Sequence, residues 1–176
     1  MKNRNPLISH LRTSFCALVI VGALLTLPRA EAGTPQPASG QFFPCFNYAG
    51  PPRQVGENLI ITFNISGTSN GTFTGSLAGT ELNVVHRDGS ITKHGSLVLT
   101  GSITDRSGTG TLHFTYEGIG SAVTGHEVLR GVARQGTGAL SGVYVEETLE
   151  GDVGAPNPGC ALSGTGTYNG QILFAP

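Results

Sequence analysis

The chain has 176 residues, 38% apolar and only 12% charged, with 27 glycines, no tryptophan and a formal net charge of −1. That profile fits one globular domain and excludes coiled coils and long helices; the glycines follow no three-residue period, which excludes collagen. The apolar and β-branched content separates the chain from disordered Gly-rich sequences.

Residues 1–32 read as a secretory signal peptide: Lys2, Arg4 and Arg12 precede an apolar run over residues 15–27, and Ala30-Glu31-Ala32 offers a cleavage site before Gly33. The run falls short of the roughly 20 residues that span a bilayer. The expected location is therefore secreted or periplasmic, with no membrane association after cleavage. Cleavage removes Lys2, Arg4, Arg12 and Arg29 against Glu31, so the remainder is acidic and has no basic stripe, and nucleic acid is not an expected partner. Cys45 and Cys160 remain, and in an oxidising compartment they are expected to form a disulfide.

Residues 33–40, rich in Pro, Ala, Ser and Gly, read as a flexible leader. In residues 41–52, Phe42, Phe43, Phe46 and Tyr48 surround Cys45, which predicts a segment packed on the domain and tethered by the disulfide. The remaining residues, 53–176, read as the folded domain. There short apolar runs alternate with Gly, Asn, Asp and Ser clusters, and no window shows helical periodicity. Leu59, Ile61, Phe63 and Ile65 alternate with polar neighbours, as do Leu97, Leu99 and Ile103, and Leu112, Phe114 and Tyr116. Asp88-Gly89 predicts a two-residue hairpin loop with both residues at positive φ. In that register Leu82, Val84 and His86 share a face with Ile91, Lys93, Leu97 and Leu99. Gly-Thr-Gly triplets at 108–110, 136–138 and 164–166 recur at 28-residue steps and read as turns in a meander of hairpins. Strands are predicted at 57–67, 71–79, 80–87, 90–104, 109–117, 121–133, 138–149 and 161–174. Eight antiparallel strands with one apolar face close into a barrel, the preferred all-β class, or stack as a β-sandwich, the runner-up.

Gly75-Ser76-Leu77-Ala78-Gly79-Thr80, the segment Gly101-Ser102-Ile103 through Asp105-Arg106-Ser107-Gly108, residues 114–118, and above all Gly136-Thr137-Gly138-Ala139-Leu140-Ser141-Gly142-Val143 carry a family resemblance. Over about residues 57–174 the chain resembles uncharacterised bacterial domain-of-unknown-function proteins grouped with the allene oxide cyclase-like β-barrels. The resemblance implies an eight-stranded barrel. It also implies a glutamate where this chain has Leu97 and a histidine where it has Tyr116, so acid–base work at those two positions is not expected here.

Among the histidines, His86 and His94 fall on opposite faces in the predicted register, and His113 lies opposite the apolar stripe. Surface positions are expected for these and for His126, with no metal site. Glu117, Glu146, Glu147 and Glu150 read as solvated acids, the adjacent Glu146 and Glu147 pointing opposite ways. Glu127, beside His126, is the acid singled out for a perturbed pKa. No nucleophile elbow, phosphate loop or cofactor motif is present. The expectation is a barrel holding a small hydrophobic molecule among Phe63, Leu97, Leu99, Phe114 and Tyr116, with Tyr116 as the polar handle and no cofactor. The alternative is an isomerase- or cyclase-like enzyme acting on a small hydrophobic substrate.

Overall fold

The computed structural model describes residues 33–175; the signal-peptide reading of residues 1–32 lies outside them. The strands are β1 (Gln36–Tyr48), β2 (Arg53–Val55), β3 (Asn58–Gly71), β4 (Phe73–Val85), β5 (Ser90–Ile103), β6 (Gly110–Ser121), β7 (His126–Gly136), β8 (Val143–Gly154) and β9 (Leu162–Phe174). They form one sheet ordered β1-β9-β8-β7-β6-β5-β4-β3-β2, and β1 also pairs with β3. That pairing closes β1 and β3–β9 into an antiparallel eight-stranded barrel, while β2 extends the pairing along β3 beyond the end of β1. The sheet meets itself, so the sandwich alternative does not apply.

The strand that completes the barrel is the one composition hides. Residues 36–48, divided by composition between leader and packed segment, are continuous strand, with Ala38, Phe42, Pro44 and Phe46 buried and their neighbours turned outward. Pro44 has no N–H to donate, and the β1–β9 ladder skips Phe43 and Pro44 before resuming at Cys45. The predicted break at Gly79-Thr80 is absent: Gly79 sits in the middle of β4, opposite Leu97. One strand is gained and one pair merged, so the count of eight stands with a different membership.

The hairpin at Asp88-Gly89 exists in a different register. His86 N–H bonds to Ser90 O at 2.8 Å and Gly89 N–H to His86 O at 3.0 Å, which makes a three-residue loop over 87–89. Only Gly89 has positive φ, at +84°, the arrangement of a type I turn followed by a left-handed residue. Asp88 accepts from the Ser90 N–H and hydroxyl at 2.9 and 2.7 Å and holds the loop. Val85 therefore faces Ile91, one residue away from the predicted pairing. A one-residue slip exchanges the two faces of a strand. Leu82 is 40% exposed, and Glu81 and Asn83 point inward instead. The inward assignments of Lys93 and Leu99 on β5 hold.

Strands β6 to β8 begin and end some residues after their predicted positions, because residues 122–125 form a turn and Gly138–Leu140 a single 3-10 turn, whereas β9 ends at the predicted residue 174. Leu140 from that turn is fully buried and closes one end of the barrel beside Leu112 and Val143. The first two Gly-Thr-Gly triplets meet there, where a Cβ at Gly110 would stand 2.0 Å from Thr137 O, whereas the third lies within β9. The Cys45–Cys160 disulfide is formed, its Cα atoms 5.3 Å apart, and ties β1 to the chain just before β9.

Candidate functional site

The inward faces of the strands divide the barrel lengthwise. At the end closed by Leu140 the filling is aliphatic and aromatic, with Phe73, Ile103, Leu112 and Ile172 buried. At mid-height lies a cavity of about 50 Å³ whose wall includes Leu97, Leu99, Phe114, Tyr116, Glu147 and Tyr168. Four of the five predicted ligand-contact residues thus border one space. Phe63, the fifth, belongs to the other end. There it meets Phe46 edge-on at 5.8 Å and Tyr48 at 5.1 Å, beside a recess of about 250 Å³ that Lys93 and Asn83 also line.

Between the cavity and the recess sits an ionic cluster. Lys93 Nζ is 3.1 Å from Glu81 Oε1 and in direct contact with Glu127 Oε2, all three side chains at most 5% exposed. The ammonium also lies 5.6 Å from the centre of the Phe46 ring. Tyr116 donates its hydroxyl to Glu81 Oε2 at 2.9 Å. Gly95, opposite Tyr116 on β5, makes room for that ring: a Cβ at Gly95 would stand 2.1 Å from it. Burial pulls the Lys93 ammonium down, but Glu81 and Glu127 outweigh burial and hold it above the usual lysine value, so it remains a cation. Burial raises Glu127, and Lys93 offsets only part of that. Burial, reinforced by the charge on Glu81, raises the Tyr116 phenol, which stays protonated and acts as a donor.

Glu147 is different in kind. It points inward from β8, flanked by Gly131 on β7 and Gly170 on β9, and two neighbours without side chains leave space around its carboxyl. It is 7% exposed, and its Oε2 has no hydrogen-bond partner within the protein. Burial alone pushes its pKa up to about 8. Facing it across the same cavity are Glu81 from β4, Tyr116 from β6, Glu127 from β7 and Tyr168 from β9, with Lys93 of β5 bound to the first and third of these. An uncompensated buried carboxyl that titrates near neutrality is suited to proton transfer or to pairing with a cation.

A pH dependence follows. The native state keeps a proton that the unfolded chain releases above about pH 4.5, so the contribution of Glu147 is complete below that pH and is lost as pH rises through about 8. Against a Glu147→Leu variant, wild-type stability should therefore fall between those values, by at most roughly 1.4 kcal/mol per pH unit, and level off above them. Urea unfolding of both proteins from pH 5 to 9 measures this; parallel profiles would contradict it.

Reading the acids as solvated thus needs correction: Glu81, which has no place among the predicted candidates, and Glu127 and Glu147 are all buried. Glu127 is the acid that the sequence singles out, and Glu146 and Glu147 do point opposite ways, Glu146 pairing outside with Arg130. Lys93 within an otherwise apolar inward stripe was the signal that a buried partner must exist. His86 and His94 are both on the outer face, because of the register change. His86 bonds to Asn58 and Thr92, His94 lies 3.8 Å from Glu117, and His126 is 3.1 Å from Asp152. Among the described residues no group of three His, Cys, Asp or Glu side chains is placed to hold a metal ion, and no helix is long and apolar enough to cross a membrane.

Fold and interior define a closed eight-stranded antiparallel barrel with acidic groups in an apolar core. No family model matches the chain, and no curated protein matches it. Among solved structures, it is similar to a protein of unknown function from the DUF3224 family of Shewanella oneidensis MR-1, known at 1.84 Å resolution, with a TM-score of 0.61 and 18% identity over 81% of this chain and 99% of that one. At that identity the likeness is one of fold.

Proposed function

We propose that this chain is a secreted or periplasmic barrel that binds a small, largely apolar molecule between Leu97, Leu99, Phe114 and Tyr116, with Phe63 guarding the opposite end. The observation that carries this reading is the cavity at mid-height, a space walled by apolar side chains with one unpartnered carboxyl turned into it. Cavities in folded cores are costly, and a buried polar group without a partner adds to the cost, so a ligand recovers stability there. The disulfide is compatible with an extracytoplasmic location.

A second reading, an isomerase- or cyclase-like enzyme of the allene oxide cyclase-like grouping, draws support from the buried, hydrogen-bonded Tyr116 beside the cavity. Size decides between the two. A six-carbon ring needs a cavity of about 150 Å³, three times the space present. A substrate with a rearranging carbon skeleton would require the barrel to open; a molecule of a few heavy atoms would not.

Xenon, a spherical apolar probe, tests occupancy. Under xenon pressure, amide resonances around Leu99, Phe114 and Glu147 are expected to shift and saturate in the wild type, while a Leu97→Phe variant, whose larger ring fills the space, shows no saturating shift. An unresponsive wild-type interior would overturn the binding reading.

A further inference from the structure

The barrel already shows how it accommodates an ammonium group. Lys93 places its Nζ against two carboxylates, Glu81 and Glu127, and over an aromatic ring, Phe46. The cavity repeats that arrangement without the cation. Glu147 turns an unpartnered carboxyl oxygen into it, and the rings of Phe42, Phe73, Phe114 and Tyr168 stand in its wall. Counted over its ionisable groups, the interior holds three buried carboxyls, Glu81, Glu127 and Glu147, against one buried ammonium. Once Glu147 ionises the interior is short of positive charge, and aromatic faces also attract cations.

We propose that the cavity beside Glu147 is a site for a small organic ammonium ion, its charged nitrogen paired with the Glu147 carboxylate and its short apolar group against the aromatic wall. This deepens the small-molecule-binding reading and rests on it. Scaling from the ring that fills about 150 Å³, the space takes a ligand of roughly two to three heavy atoms, such as methylamine or ethylamine. A carbonyl or alcohol of the same size carries no charge and cannot form the ion pair with the Glu147 carboxylate.

Binding carries a proton signature. Glu147 is largely protonated below about pH 8, whereas an alkylamine, like lysine, stays charged up to about pH 10. Ammonium binding at neutral pH therefore displaces the Glu147 proton to solvent, and affinity should rise about tenfold per pH unit from 6 towards 8 and then flatten. Glu81, Glu127, Tyr116 and Tyr168 face the same space, but Lys93 holds the two carboxylates in ion pairs and both phenols stay protonated over this range.

The test is an NMR titration of the oxidised protein with methylamine and ethylamine and with the neutral matches methanol and ethanol, at pH 6, 7, 8 and 9. The proposal expects saturable shifts around Glu147 for the amines, the stated pH rise, and at least about a tenfold loss of amine affinity in Glu147→Gln, with xenon binding kept as proof that the variant's cavity is intact. If the alcohols bind as well as the amines, or if Glu147→Gln binds amines unchanged, the ammonium site is overturned while the binding reading stands. If neither amines nor alcohols bind but xenon does, the ammonium site is likewise overturned. If xenon also fails in the wild type, both fall.

Discussion

Replacing both cysteines, Cys45→Ala with Cys160→Ala, is expected to lower the unfolding free energy by about 4 to 5 kcal/mol. The linked residues are 115 apart in sequence. On the chain-entropy account, a loop of about 100 residues restricts the unfolded ensemble by about 4.7 kcal/mol. Domains of this size are stable by about 5 to 15 kcal/mol, so the loss is about a quarter of the total or more. The crosslink also sits where β1 needs it. The β1–β9 ladder is interrupted at Phe43 and Pro44, and Cys45 is the first residue at which it resumes. The side chain of Asn47 reinforces the same junction, donating to Gly159 O at 3.1 Å and accepting from Ala161 N–H at 3.1 Å. Urea unfolding of oxidised, reduced and doubly substituted protein measures the difference, and the two thiol-free or reduced forms should agree. A change below about 1 kcal/mol would mean that the unfolded chain already keeps the two positions close.

The barrel itself is legible in the sequence because β3, β5 and β6 each carry a clean period-two stripe, and those stripes face inward in the structure. The acidic interior is not legible, and β4 shows why. If the chain breaks at Gly79-Thr80, each half is free to bury its more apolar face, which for the second half means Leu82 and Val84. Without the break, parity runs through the whole strand. Phe73 and Leu77 are buried, so Glu81 and Asn83 must follow them inward and Leu82 must face out. The turn adjusts to this. Asp-Gly suits a two-residue loop, but the same Gly also serves a three-residue loop with a single left-handed residue, and the longer loop is the one that brings Glu81 to the face already occupied by Lys93. Charge partners on different strands leave no local pattern, whereas the choice of register does. Strand β1 escaped for the opposite reason: prolines and glycines that argue against a strand are tolerated where the ladder is interrupted or the backbone of a neighbour comes close.

Lys93→Met should destabilise the barrel at pH 7 by about 3 to 5 kcal/mol, because it leaves Glu81 and Glu127 buried at 2% and 3% exposure with no cation between them. The penalty comes from the stranded carboxylates rather than from loss of an intrinsically strong bond. Two further results separate those causes. Lowering the pH towards 4 should recover most of the lost stability, since stranded acids protonate and the desolvation cost disappears. Replacing the acids together with the lysine, as Lys93→Met with Glu81→Leu and Glu127→Leu, should restore stability to within about 1 to 2 kcal/mol of wild type, since a packed apolar cluster substitutes well for a buried ion group. The triple variant would nevertheless lose the acceptor for Tyr116, whose hydroxyl now reaches Glu81 at 2.9 Å. The cluster therefore does more than hold the strands together. It fixes the Tyr116 phenol at the cavity wall and keeps the inner space apart from the recess beside Phe63. If Lys93→Met unfolds at the same urea concentration as wild type at pH 7, Glu81 and Glu127 are neutral in the folded protein, and the ionic division of the barrel is wrong.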